Sequence, residues 1–435
     1  MTTPSPTSAS LDALARDILA RNDRGGYTVP NEKVYPFQWN WDSAFVAMGF
    51  AVLDIERAWQ ELETLFLGQW DDGMVPSIVF HKPAANYYPG PSAWGTTHEP
   101  PTTGISQPPV AATAARVVFE ADPDRARAEA RLRALLPKLV ASHRWWHEIR
   151  DPDGTGLVAI VHPWETGRDN SPEWDAPLAA ITPTVDVAAL RKDKTHVNAS
   201  ERPTDAFYNR VMTLVEEAKA LHWDGKAVAR SLSLRVCDVG VQSILVRADH
   251  DLHHLATLLG FADEAAALAG WIERSTKGFD RLRGDDGIWR SLDLRSGKLA
   301  ASVSSGSFLP LYARVGTRED ADHLAALLDR WGSVTSYAVP SSDPFAETYD
   351  PHRYWRGPVW LVVNRMIVDG FATAGRLDVA DRIAAQSREL VGRHGFCEYF
   401  DPRTGDALGG RDFSWTAAMW LAWLARPDAG HAVTG

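Results

Sequence analysis

Residues 122–148 read DPDRARAEARLRALLPKLVASHRWWHE. Leu132, Leu135, Leu136, Leu139 and Val140 recur there at intervals of three and four, which lays one apolar stripe along an α-helix. Asp122 is a candidate N-cap and Pro123 suits a first helical position. The same period returns over 204–222, 238–259, 263–282, 318–331, 355–374, 377–394 and 412–425, and also over 11–22, 41–53, 54–70, 107–121 and 303–314. Gly260, Gly316, Gly375 and Gly395 fall where such helices should stop. Strand signals are thin, nothing alternates strand with helix as a parallel sheet requires, and no glycine-rich loop is placed to cradle phosphate. The expectation is an all-α chain whose helices, about a dozen, close into a double ring of helical hairpins.

Two stretches break the helical pattern. Residues 71–106 are rich in Pro, Gly and aromatics, and residues 150–203 hold Trp164, Trp174 and several prolines. Long irregular segments inside one domain usually form lids or site walls. No linker interrupts the chain, so a single domain is expected over 11–426, after a flexible Thr-, Ser- and Pro-rich N-terminus at 1–10.

The 435 residues are 45% hydrophobic and carry a formal net charge of −11. That balance disfavours nucleic acid and anionic membranes as partners, while leaving room for a small anionic ligand held by a local arginine. With two cysteines, no basic and apolar leader and no membrane-length apolar run, a cytoplasmic chain with reduced thiols is expected. A homo-oligomer is left open. The 18 Trp suit a concave site where flat rings stack on sugar faces, beside others that pack between helices.

Hydrolysis of a glycosidic bond needs two carboxyl groups. His162-Pro163-Trp164-Glu165-Thr166-Gly167-Arg168-Asp169-Asn170-Ser171-Pro172 is a polar loop in which Asp169 could sit against an aromatic wall, a setting that raises a carboxyl pKa and suits a general acid. The bland reading of Asp169 is a cap for the next segment. Glu398 lies in Gly395-Phe396-Cys397-Glu398-Tyr399-Phe400, a glutamate among aromatics, with Glu347 as its competitor. Tyr35-Pro36-Phe37-Gln38-Trp39-Asn40-Trp41-Asp42 and Tyr354-Trp355-Arg356-Gly357-Pro358-Val359-Trp360 mix rings with hydrogen-bonding groups, as a sugar site does; helix-end packing is the alternative for both. His250-Asp251-Leu252-His253-His254 spaces two histidines by four, but Asp follows the first where zinc hydrolases have Glu, and no third ligand stands nearby. A solvated or capped helix face is the expectation, with no metal and no cofactor.

Trp39-Asn40-Trp41-Asp42, the Glu-Thr-Gly-Arg-Asp-Asn-Ser string ending at Ser171, Arg356-Gly357-Pro358-Val359-Trp360, Glu398-Tyr399 and Phe413-Ser414-Trp415-Thr416 occur in one order. Together they resemble glycoside hydrolase family 63, with a more distant likeness to trehalases, over nearly the whole chain. The resemblance implies an (α/α)6 toroid and inverting hydrolysis of α-glycosides. It implies Asp169 as general acid and Glu398 as general base, leaving Glu347 a structural or binding role. Inversion sets the two carboxyls roughly 6.5–9.5 Å apart. The compact chain most resembles the small bacterial members that hydrolyse glucosylglycerate or mannosylglycerate. By that likeness Tyr35, Trp39, Trp41, Asp42, Trp164, Tyr354, Trp355, Gly357 and Trp360 hold the sugar, Tyr88 and Gln107 help form the site, and Arg202 and Tyr208 grip glycerate.

A guanidinium fork matches a carboxylate, which supports Arg202 independently. Arg168 and Arg356 are its rivals, and a surface Arg202 capped by Glu201 is the alternative. The expected reaction is hydrolysis of glucosylglycerate to glucose and glycerate. The alternatives are the same mechanism on mannosylglycerate or a trehalose-like α-glucoside, and a non-catalytic sugar-binding toroid.

Overall fold

The leucine stripe of 132–140 is buried along one face of a helix, and that helix is one of fifteen among the described residues, most of which the stripe pattern foretold. The computed structural model describes residues 7–83, 87–193 and 197–425. Residues 1–6 of the expected N-terminal tail, and residue 426, lie outside them. The helices are α1 (Ser8–Asn22), α2 (Asn40–Phe50), α3 (Ile55–Leu65), α4 (Pro91–Trp94), α5 (Ala111–Ala121), α6 (Arg125–Arg144), α7 (Asp175–Ala179), α8 (Asp205–Ala220), α9 (Gly225–Ser231), α10 (Val239–Leu259), α11 (Ala262–Gly278), α12 (Arg318–Trp331), α13 (Leu361–Thr373), α14 (Leu377–His394) and α15 (Ser414–Met419).

Their packing closes a ring. α2 lies against α5 and α5 against α10; α10 and α13 both touch the turn at Ser305–Phe308; α13 meets α15, and α15 returns to α2. Outside this inner ring, α3 covers α2, α6 covers α5 and α10, α11 covers α10, α14 covers α13 and α1 covers α15. α12 completes the outer ring by setting Trp331 edge-on to Phe308, ring centres 5.4 Å apart. The fold is all-α, an (α/α)6 toroid. Burial follows position: every residue of α2 but Met48 is buried, whereas α12 buries one face and exposes the other.

The strands are short and antiparallel. β1 (Gln38–Trp39) pairs with β2 (Ile78–Val79); β3 (Val236–Cys237), β4 (Leu292–Asp293) and β5 (Lys298–Leu299) form a second sheet; β6 (Cys397–Phe400) and β7 (Ala407–Arg411) form a hairpin. The two irregular stretches, 71–106 and 150–203, carry buried runs at 73–80, 102–106, 156–163 and 165–168. Ile78, Phe80 and Trp94 of the first join Phe37, Trp39 and Tyr208 in a satellite core, so these segments are packed walls.

Four expectations need correcting. The cap of α6 is Asp124, which accepts from the Arg127 N–H at 3.1 Å. Asp122 is occupied by Trp59 Nε1 at 2.9 Å and by Arg127, so the helix starts past Pro123. Residues 303–314 take an inner-ring place without being a helix: Pro310 has no N–H to donate and its ring would clash with the preceding turn, so only Ser305–Phe308 winds, as a 3₁₀ turn, and Gly316 ends no helix there. The helix expected from 355 begins at Leu361, because Pro358 disfavours helical backbone at Gly357 and the chain turns instead. α15 winds as α-helix only to Met419 and continues through a wider π turn to Leu424.

Candidate active site

Three local structures bring the candidate residues together. The first is the junction of β1 and α2. Asn40 N donates to Ser77 O at 3.0 Å and its side-chain amide to Val75 O at 3.2 Å, which fastens the start of α2 to the 71–106 wall. Trp41 and Asp42 stand in the first turn of that helix.

The second is the loop that carries Asp169. Pro163–Thr166 form a 3₁₀ turn ended by Gly167 in left-handed conformation (φ 65°). A β-carbon on Gly167 would lie 2.5 Å from the Trp41 ring, so both the turn and the close approach need glycine. On either side of Asp169 the chain is anchored. Arg168 donates to Glu173 at 2.6 Å and to Asp238 at 2.5 Å, and the Asn170 amide oxygen accepts from Trp355 N at 2.9 Å. Asp169 does not cap the following 3₁₀ turn, whose N-cap is Ser171.

The third is the β6–β7 hairpin, whose register shifts between Cys397 and Tyr399 and sets Glu398 in the bulge. Glu398 is 2% exposed and accepts from Tyr35 Oη (2.9 Å) and Gly410 N (2.9 Å).

One cavity is walled by both acids together with Tyr35, Trp39, Trp41, Asp42, Tyr88, Gln107, Trp164, Arg202, Tyr208 and Tyr354. Trp355, Gly357 and Trp360 are placed behind that wall. Trp355 and Trp360 stack on each other (centres 3.8 Å, planes 4° apart) and Trp360 stacks on Tyr399. Gly357 packs on the Asp350 and Pro351 backbone. These three back the site and do not line it. Glu347 is exposed and borders a separate groove with Tyr349 and Arg353.

The rival arginines are engaged elsewhere: Arg168 as above, and Arg356 with Asp175. Arg202 is no surface residue. It is 4% exposed, donates to Tyr35 Oη at 2.8 Å and through Nε to Asp193 at 3.2 Å, and lies 4.3 Å over the Tyr354 ring. Glu201 does not cap it; that carboxylate accepts from Gly409 N at 2.9 Å.

Sequence reasoning missed Tyr87, Lys192, Asp193, Phe413 and Trp415, which also line the cavity. Asp193 is the most connected of these. Arg191 grips it with two hydrogen bonds (3.1 and 2.7 Å), and the same carboxylate accepts from Arg202 and from Tyr208 Oη (3.3 Å). In the sequence Arg191-Lys192-Asp193-Lys194 reads as a solvated charge run, which hides this.

The two acids sit in unlike surroundings. Burial pushes the Asp169 carboxyl up to about 8, with the charge of Glu398 adding and Arg202 opposing. No side-chain hydrogen bond to Asp169 occurs among the described residues. Burial also holds Glu398 above its ordinary value, though Arg202, the Gly410 N–H and Tyr35 oppose the rise. Asp42 is pushed well above its ordinary value by burial and by Glu398, so it can donate as well as accept. For Asp193 burial opposes ionisation, yet Arg191 and Arg202 hold it below its ordinary value.

In the 250–254 string, Asp251 is buried in bonds to Thr113 and Arg116, while His254 is exposed. Asp251 is thus a core ion-pair residue and not part of a solvated face. Among the described residues no group of three or more His, Cys, Asp or Glu is placed to hold a metal ion, and no helix is long and apolar enough to cross a membrane.

Comparison with known proteins shows the family. Residues 35–416 match the family described as the mannosylglycerate hydrolase MGH1-like glycoside hydrolase domain. Mannosylglycerate hydrolase MGH1 of Selaginella moellendorffii is 46% identical over 426 residues, covering 97% of this chain and 87% of that protein. The glucosylglycerate hydrolase of Mycolicibacterium hassiacum is 34% identical over 442 residues, covering 97% and 99%. The crystal structure of the family 63 mannosylglycerate hydrolase of Thermus thermophilus with Tris and D-glycerate superposes with a TM-score of 0.90 at 45% identity, over 95% of this chain and 99% of that one. The chain is a glycoside hydrolase and belongs to family 63, among the proteins built on the MGH1-like domain.

Proposed function

We propose that the chain hydrolyses an α-hexosylglycerate with inversion, releasing the hexose and glycerate. The observation that carries this reading is the pairing, in one cavity, of two acids, one with hydrogen-bond donors on its carboxylate and one with no side-chain donor among the described residues, with a buried arginine beside them. Asp169, whose burial favours its protonated form, gives a proton to the bridging oxygen as the bond breaks. Glu398, whose anion is favoured by Tyr35, Gly410 and Arg202, takes a proton from water attacking the opposite face of the ring. Tyr35, Trp39, Trp41, Asp42 and Tyr354 hold the hexose. Arg202 and Tyr208, with Tyr88 and Gln107, hold the aglycone, and the Arg191–Asp193 pair orients the first two.

The relatives favour mannose: MGH1, named for mannosylglycerate, is 46% identical, against 34% for the relative named for glucosylglycerate. The glucosylglycerate expected from the sequence is the second reading, and that same Mycolicibacterium relative keeps it in view. The test is release of free sugar from mannosylglycerate, glucosylglycerate and trehalose side by side, with EDTA present. Turnover of a hexosylglycerate, unaffected by chelation, is expected. Release from trehalose alone would keep the acids and remove the role given to Arg202.

A further inference from the structure

Arg202 does more than face the aglycone. Its terminal nitrogen lies 4.0 Å from Glu398 Oε1, and the Tyr35 hydroxyl bridges them, accepting from Arg202 at 2.8 Å and donating to Glu398 at 2.9 Å. Around Glu398 stand the neutral Tyr354 and, adjacent on β6, Tyr399, the Gly410 N–H, and three acids, Asp42 on α2, Asp169 on its loop and Glu201 beside the hairpin; Lys33 and Lys192 are further cations in the cavity wall. Arg191 is matched by Asp193 and Asp205 (2.8 Å), while Arg202 is shared between Asp193 (3.2 Å) and Glu398, and among the described residues it is the cation in ion-pair reach of that carboxylate.

We propose that Arg202, through Tyr35, couples the charge of the bound aglycone to Glu398, so that an anionic substrate makes its own attacking base stronger. This rests on the reading that Arg202 takes the substrate carboxylate. A guanidinium shared between two anions stabilises each less than it stabilises one alone. Binding of the carboxylate therefore withdraws part of the cation from Glu398, and the affinity of Glu398 for a proton rises at the moment water must be deprotonated. A neutral aglycone leaves the Arg202–Glu398 attraction whole and the base weaker. Arg202 is in this sense a specificity-determining residue acting on turnover as well as on binding.

The experiment compares pH profiles on the hexosylglycerate and on the analogue in which glycerol replaces glycerate. The acidic limb of kcat/KM reports the free enzyme and that of kcat the complex. With the anionic substrate the kcat limb is expected about one pH unit above the kcat/KM limb, the scale of one nearby charge on a carboxyl. With the glycerol analogue the two limbs should coincide. In Arg202→Met both limbs should move up together and lose their dependence on the aglycone. Hydrolysis of the anionic substrate with coincident limbs would overturn the coupling and leave the proposed function standing. Absence of hydrolysis of either hexosylglycerate would overturn the proposed function, and the coupling with it. Arg202→Met that hydrolyses both substrates with the wild-type limbs would likewise remove Arg202 from the role.

Discussion

The wall that carries Asp169 and the wall that carries Glu398 hold the same functional group in unlike surroundings. Asp169 stands on a loop locked from behind, by Arg168 in its buried ion cluster and by Asn170, and among the described residues no side chain hydrogen-bonds to the carboxyl itself. Glu398 stands in a hairpin bulge with donors aimed at the carboxylate. Position without solvation favours a held proton; position with donors favours an anion. In the proposed reaction it is surroundings, not residue type, that divide acid from base.

The largest expected effect breaks the two walls separately. Asp169→Ala and Glu398→Ala should each lower kcat on the hexosylglycerate by about 10³-fold or more. On the α-hexosyl fluoride, whose leaving group needs no proton, Asp169→Ala should recover most of its rate and Glu398→Ala should not. Recovery in the reverse order would exchange the roles. Glu347→Ala, in its separate groove, should leave kcat within about twofold, the scale expected of a surface change.

The pH profile sharpens the comparison next. Activity should fall on the alkaline side through about pH 8 as Asp169 loses its proton. If that limb lies two units away in either direction, the alkaline limb belongs to another group.

Gly167→Ala should strain the acid's wall alone. The residue combines left-handed backbone with contact against Trp41, so a stability loss of about 2–3 kcal/mol and a lowered kcat are expected. Gly154→Ala shares the positive φ but meets nothing within 4 Å, and should cost about 1 kcal/mol with kcat unchanged. Equal losses in calorimetry would mean the Trp41 contact is immaterial.

The smallest effect is on stability. At low pH Asp169 is protonated folded or unfolded. As pH rises from about 4 to about 8 the unfolded chain ionises it and the folded one does not, so stability falls across that window. Asp169→Asn removes the penalty. Its Tm should exceed that of the parent by roughly 2 °C at pH 7, and the gain should vanish below about pH 4. A gain that persists at pH 3 would have another origin.

Much of this was legible in the sequence because helical periodicity is a local signal. The stripe through Leu132 and Val140, and those of α10, α12 and α14, placed the ring elements to within a few residues. Failures came where local and tertiary demands diverged. Asp122 looks like a cap until Trp59, far away in sequence, claims its carboxylate. Residues 303–314 carry a helical pattern but also Pro310. In the site, Asp169, Glu398, Trp39, Trp41 and Asp42 line one cavity. Trp355 and Trp360 were misplaced because a ring facing a sugar and a ring facing another ring look alike in one dimension. Asp193 was invisible for the opposite reason: its partners Arg202 and Tyr208 reach it only through the folding of the 150–203 segment.

The stacked indoles of Trp355 and Trp360 have an optical consequence. Two such rings, nearly parallel and in contact, share their electronic excitation, and a third aromatic, Tyr399, extends the column. Tyr399 is the neighbour of Glu398 on β6, and Trp360 directly precedes α13. The chain therefore carries an internal chromophore at the seam between the helical ring and β6, whose near-ultraviolet circular dichroism would report whether that seam is closed without any label being attached.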